Sequence, residues 1–179
     1  MTRIKVELST RSIEQAKKRL KEYQRDVTRK CASARRRMAI DGVEMLTNNL
    51  HHASYDGEQD FNVSMELFDK NRTRITASGK SVIFMEFGTG IRYMSLGTHP
   101  LNHLFGTGQG THSMKGKWDS PNGWVYVGNP GKNGRVVRIN KEGTPVVRTL
   151  GNPAYMPVYK TALMLRLLAK DTYRREFNK

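Results

Sequence analysis

Polar and apolar residues alternate over residues 2–8, with Ile4, Val6 and Leu8 on one side, which predicts a short strand with one buried face. From residue 13 the period changes. Ile13, Ala16, Leu20, Tyr23, Val27, Cys31, Ala34, Met38, Gly42, Met45/Leu46 and Leu50 follow one another in steps of three and four, the stripe of an α-helix. Thr10 and Ser12 offer N-cap hydroxyls, and Glu14 is expected in the first turn, where it complements the helix dipole. Some 40 residues without a proline predict a rod of about 60 Å, with Gly42 the point at which it would bend or break. Such a rod outruns a domain of this size, so part of it is expected to meet another subunit or the rest of an assembly.

His51 to Gly57 ends the helix, with Asp56-Gly57 as a turn signal. Phe61, Val63, Met65 and Leu67 then alternate with polar residues as a strand. After a polar turn at 70–72, Arg72 to Ala77 can return as its partner until Ser78-Gly79-Lys80 breaks it. Residues 81–87 are nearly all apolar and should be largely buried, but the stretch is too short to decide helix from strand. Residues 91–123 form a long Gly-rich loop of little periodicity. Gly123 to Val127, Arg135 to Ile139 and Thr144 to Thr149 read as short strands of an antiparallel meander or hairpin set. Pro157 then opens a last helix that ends near Phe177, with Tyr159, Ala162, Leu163, Arg166, Leu167 and Lys170 on roughly one side, and Leu165 and Leu168 widening the arc. The expected fold is therefore α+β: a single domain over residues 1–179, with a long N-terminal helix and a C-terminal helix packed on one mostly antiparallel sheet.

The 179 residues suffice for one core. A single cysteine, Cys31, rules out an internal disulfide and a Cys-based zinc site, and its place in the helical stripe makes it a small core residue. No apolar run reaches the length needed to cross a bilayer, and residues 1–7 do not resemble a signal peptide, so a cytoplasmic, membrane-free setting is expected. Net charge is +15, which favours polyanions or an acidic protein surface. The charge is uneven. Residues 1–37 hold thirteen Lys and Arg against four Asp and Glu, a net of +9, whereas residues 51–70 hold five acids against Lys70, a net of −4. That polarity suits head-to-tail or ring packing of identical subunits.

Chemical motifs are sparse. His99 and His103, four apart and followed by His112, have the spacing of a helical metal pair, but Pro100 and the nearby glycines argue against a helix, and surface or interface loop histidines are the simpler reading. His51, His52, Asp56, Glu58 and Asp60 could be drawn as a nuclease-like cluster, yet they read as a helix end and a solvated acidic loop. Gly106 to Gly110 lacks the Lys-Ser/Thr of a phosphate loop. Trp118, Trp124 and Tyr126 suit packing or an interface. No catalytic residue, metal site or cofactor is expected, and the chain does not read as an enzyme. Lys17, Lys18, Arg19, Lys21, Arg25, Arg29, Lys30, Arg35, Arg36 and Arg37 coat the long helix. They could contact phosphates without reading sequence, or an acidic partner, or simply be solvated.

Two segments stand out. Phe84-Met85-Glu86-Phe87-Gly88-Thr89-Gly90 is an apolar element ended by a glycine turn, and Gly151-Asn152-Pro153-Ala154-Tyr155-Met156-Pro157 is a proline-framed lead into the last helix. In this order, behind a long basic helix, they resemble the tail-completion or head–tail joining (neck) proteins of tailed bacteriophages. The loop at 91–123 departs from that pattern. The resemblance implies a structural virion protein without cofactor, made in the host cytoplasm, that completes the head-proximal end of the tail and helps join it to the capsid. It also implies a homo-oligomeric ring, a hexamer in the simplest case, with the tail terminator, tail tube and head-connector proteins as partners and genomic DNA in the channel as a further contact. Glu86, a carboxylate in an apolar run, needs a buried partner such as an arginine or a set of backbone N–H groups. The competing reading is a cytoplasmic nucleic-acid-binding protein that uses the basic helix.

Overall fold

The computed structural model describes residues 9–53, 55, 57–69, 71–88, 99–101, 124–130, 134–149 and 151–178. The strand expected at 2–8, most of the 91–123 loop, His103, His112, Trp118, Thr89 and Gly90 lie outside them. The fold is α+β. Its elements are α1 (Thr10–His52), β1 (Asn62–Asp69), β2 (Arg72–Ser78), α2 (Lys80–Phe87), β3 (Trp124–Val127), β4 (Arg135–Ile139), β5 (Pro145–Thr149) and α3 (Pro157–Phe177).

Helix α1 is continuous for 43 residues. Its N-cap is Ser9, whose hydroxyl accepts from the Ser12 N–H, rather than Thr10 or Ser12, and no acid stands in the first turn. The apolar stripe behaves differently along its length. Ala34, Ala39, Leu46 and Leu50 are buried, and Cys31 is half-buried. Further towards the N-terminus Leu20 and Tyr23 are about 60% exposed, and nearly every residue from 10 to 25 faces solvent. The cause is the length of α3. It runs antiparallel to α1, with Asn49 Nδ2 donating to Thr161 Oγ1 (2.9 Å), Ser33 Oγ to Glu176 Oε2 (2.9 Å) and Lys30 Nζ to the Phe177 carbonyl (3.3 Å). Beyond Lys30 α3 is spent, and the first twenty residues of α1 extend about 30 Å past it.

Gly42 does not break the helix. It is the point of closest approach: a Cβ there would lie 2.5 Å from Ile75 Cδ1 and 2.9 Å from Leu165 Cδ1. The face of α3 turned to α1 carries Pro157, Thr161, Leu165, Ala169, Thr172 and Glu176, one position round from the expected arc. Leu163 and Leu167 are consequently exposed.

The strands form two antiparallel sheets rather than one. β1 and β2 make a hairpin in register Val63↔Ala77, Met65↔Ile75 and Leu67↔Thr73, its turn tied by the Asn71 N–H donating to Asp69. The second sheet has the order β3-β5-β4, so the last strand lies in the middle and the set is not a meander. The central strand β5 buries Val146 and Val147, whereas β4 is exposed throughout. The core, Leu46, Leu50, Ala53, Val82 and Met85, lies where the C-terminal part of α1 meets α2 and the hairpin.

Gly42→Leu is expected to lower stability by roughly 2 kcal/mol through overpacking, and Gly42→Ala to stay within about 1 kcal/mol, because only terminal methyls must yield and Ala gains helix propensity. Urea unfolding of the three proteins measures this. Equal loss for both variants would mean that α1 depends on glycine flexibility rather than on close approach.

A buried carboxylate joins the two sequence motifs

Residues 80–87 form a helix, and its faces differ. Ser81, Val82, Met85 and Glu86 are buried, while Ile83 and Phe84 are exposed, so the segment is less buried than its composition suggests. At its N-terminus Asp60 supplies the cap: Oδ2 accepts from the Lys80 N–H (3.0 Å) and Oδ1 from the Ser81 N–H (2.8 Å). These backbone donors hold the Asp60 carboxyl below its usual pKa of 3.8.

At its other end Glu86, 6% exposed, caps the next helix. Oε2 accepts from the Val158 N–H (2.7 Å) and Oε1 from the Tyr159 N–H (2.9 Å). The arrangement follows from the local sequence. Met156 occupies the N-cap of α3 with left-handed backbone angles and has no side-chain acceptor. Pro157 at the first helical position has no N–H to satisfy. Val158 and Tyr159 then carry the two donors that an N-cap side chain ordinarily takes, and Glu86 takes both from 72 residues away. The partners of Glu86 are thus backbone N–H groups and a histidine, not an arginine.

The histidine is His99. Its Nε2 lies 2.9 Å from Glu86 Oε1, and its Nδ1 accepts from the Leu101 N–H at 3.0 Å. Nδ1 therefore carries a lone pair, and the ring proton sits on Nε2, aimed at the carboxylate. The ring is 3% exposed and lies edge-on to Phe87 (4.5 Å between centroids) and Tyr159 (5.3 Å). The sequence pattern predicts a surface or interface position for this histidine, and the structure corrects it to a buried second anchor of Glu86. A histidine followed by Pro100 gave no sequence signal of a partner thirteen residues back.

The other motif lies against the C-terminal end of α2. The Tyr155 N–H donates to the Met85 carbonyl at 2.9 Å. Gly88, which caps α2 with φ +72°, approaches the backbone of 152–154 so closely that a Cβ would lie 2.7 Å from Ala154 N and 2.8 Å from Asn152 O. Glycine is required there for both angle and space. Met85 and Gly88 thus meet the backbone of residues 152–155, and Glu86 caps the helix that Pro157 opens.

The remaining candidates do not come together. His51 packs edge-on against Phe61, His52 is exposed, Glu58 accepts from Asn129 Nδ2, and Asp60 is committed to α2. Asp56 lies outside the described residues. Among the described residues no three metal-ligating side chains gather. Of the basic residues, Arg29 and Lys30 pair with Asp26, which lowers the Asp26 pKa chiefly through the Arg29 hydrogen bond, and Arg37 pairs with Asp41. Lys17, Lys18, Arg19, Lys21 and Arg25 lie on the exposed overhang of α1, and no ion pair involves them among the described residues. Arg35 and Arg36 instead line a cleft against β1. Tyr126 donates to the Asn129 carbonyl. Compared with protein families, with curated proteins and with solved structures, the chain finds no match.

Glu86→Gln should cost about 3 kcal/mol, because an amide turns one N–H-bearing lobe towards buried donors. Thermal unfolding would read this as a fall of roughly 6–12 °C, and an unchanged midpoint would sink the capping account. Asp60→Asn tests the other cap. A carboxylate with a depressed folded pKa stabilises above its unfolded pKa and loses that contribution as pH falls through the folded value. The wild-type advantage over Asp60→Asn, about 0.5 kcal/mol at pH 7 for a charge at an exposed helix N-terminus, should therefore persist down to pH 5 and fade below 3.8. A difference independent of pH would show that the capping charge plays no part.

Proposed function

We propose that the protein is a structural component of a phage virion that completes the head-proximal end of the tail, assembles as a ring and joins the tail to the capsid connector. The observation that carries this reading is the convergence of the two motif segments. Far apart in sequence, they form one buried junction around Glu86 and Gly88, so the resemblance rests on one physical unit rather than two short coincidences. Two further features support it. The overhanging half of α1 exposes Ile13, Leu20 and Tyr23, as a helix awaiting a neighbour would. Among the described residues, Asp60 and Glu86 are committed to capping helices.

The second reading, nucleic-acid binding, draws on the same overhang, where Lys17, Lys18, Arg19, Lys21 and Arg25 lie along an unpacked helix. The two readings separate on mixing the purified protein with tail tubes and, in parallel, with duplex DNA. The expected outcome is a ring or cap at one tube end by negative-stain imaging, and failure of heads to join tails in particles lacking the protein. A monomer that ignores tubes yet binds duplex with log K falling steeply against log salt, at about −0.9 per phosphate neutralised, would overturn it in favour of the nucleic-acid reading.

A further inference from the structure

The β1–β2 hairpin leaves half of its inner face uncovered. Directly opposed residues of an antiparallel pair share a face, so Val63, Met65 and Leu67 lie on the same side as Ala77, Ile75 and Thr73. Ile75 reaches α1 at Gly42, which identifies that side as the one turned to α1. Yet Met65 is 46% and Leu67 77% exposed. Between them and α1 lies a cleft of about 410 Å³, with Ala32, Ala39, Met65 and Leu67 as its apolar lining and Arg35, Arg36 and Glu66 also bordering it. β1 pairs only with β2 among the described residues, so one edge of the hairpin presents backbone N–H and C=O groups beside an apolar groove. Such an edge accepts an added strand.

The N-terminal segment of the chain has a matching pattern. Ile4, Val6 and Leu8 alternate with Arg3, Lys5 and Glu7. Laid beside β1, the apolar set would fall over Met65 and Leu67, and the polar set beside Ser64 and Glu66, whose carboxylate pairs with Arg74 of β2. Reach decides which copy supplies it. α1 is unbroken from Thr10, so Ala32 lies about 33 Å from the start of that helix at 1.5 Å per residue. Ile4 is five residues from Ser9 and can depart from it by no more than about 17 Å. The segment cannot reach the groove of its own chain.

We propose that residues 4–8 of one copy add as a strand to the free edge of β1 in a neighbouring copy, filling the groove between β1 and α1 and linking the copies. The inference deepens the ring reading and rests on its self-association, but not on its tails. Giver and receiver are separated by the overhang of α1, from Thr10 to the groove at Ala32, so each copy offers one of each, the condition for a heterologous contact that can close into a ring.

The test is cross-linking of the full chain in a Cys31→Ser background. One preparation carries Ile4→Cys, Val6→Cys or Leu8→Cys, and a second, of distinguishable mass, carries Leu67→Cys. Leu67 is exposed and residues 4–8 precede α1, so neither change should disturb the fold, and circular dichroism checks this. A disulfide needs Cα atoms within about 7 Å. The expected result is a mixed species for at least one pair, together with loss of the wild-type oligomer in Val6→Asp and Leu67→Asp. An oligomer of wild-type mass that gives no mixed species overturns the proposal, as does a wild-type protein monomeric at every concentration. A bond closing within one chain between Leu67→Cys and His112→Cys also overturns it, since the groove would then belong to the chain's own 102–123 stretch. Tubes capped without the mixed species would spare the tail-end reading. The mixed species without capped tubes would sink that reading and keep the exchange.

Discussion

The N-terminus of α3 has no cap of its own, and the rest of the junction follows from that lack. Met156 has no acceptor to offer and Pro157 no donor to satisfy, so the first free N–H groups of the helix, on Val158 and Tyr159, would be left unpaired in a buried place, at a cost of about 1–3 kcal/mol each. Glu86 removes that cost and meets a cost of its own, since a carboxylate in an apolar run is tolerated only when its oxygens are bonded. Each group makes the other affordable. The pair also fixes geometry: α2 cannot rotate without withdrawing the carboxylate, and α3 cannot slide along α1 without losing it.

Capping extends one step further back. Asp60 satisfies the first N–H groups of α2, and α2 in turn carries Glu86 to α3. Two carboxylates in series therefore tie the acidic loop after α1 to the last helix. This matters because the hydrophobic contribution is local. The buried cluster is five residues around the end of α1, and much of the apolar surface of the overhang, the hairpin and α3 is left in solvent. Polar clamps with fixed directions hold the domain in one arrangement where packing alone would specify it weakly.

Periodicity in the sequence announced α1, the hairpin strands and α3 nearly to their ends, because long stripes and alternation are strong signals. It failed where a third dimension decides. Gly42 reads as a helix breaker in isolation, but its missing side chain makes room for Ile75 and Leu165. The stripe from Ile13 to Tyr23 reads as core, yet α3 is too short to cover it. The arc of α3 facing α1 is set by Thr161 and Pro157 at the junction, not by its most apolar residues, which is why Leu163 and Leu167 face outward. Val136-Val137 of β4 and Val146-Val147 of β5 read alike, and only the second pair, on the strand between two others, is buried. Glu86 was conspicuous as a charge among apolar residues. His99 was not, since a capping partner across a loop leaves no spacing to read.

Exposed apolar surface is found on the overhang of α1, on the β1 side of the hairpin and on the outer face of α3, and also on α2, β3 and β4. A chain that fixes its interior with directional polar contacts can leave such surfaces uncovered and still keep one fold, because the clamps do not depend on burying them. Lys17, Lys18, Arg19, Lys21 and Arg25 form no ion pair among the described residues, and their part of the helix is outside the domain that the carboxylates organise. Interior order and outward apolar surface are thus two results of one constraint, a small core held at helix ends, and the long helix carries its unsatisfied half to where a neighbour can meet it.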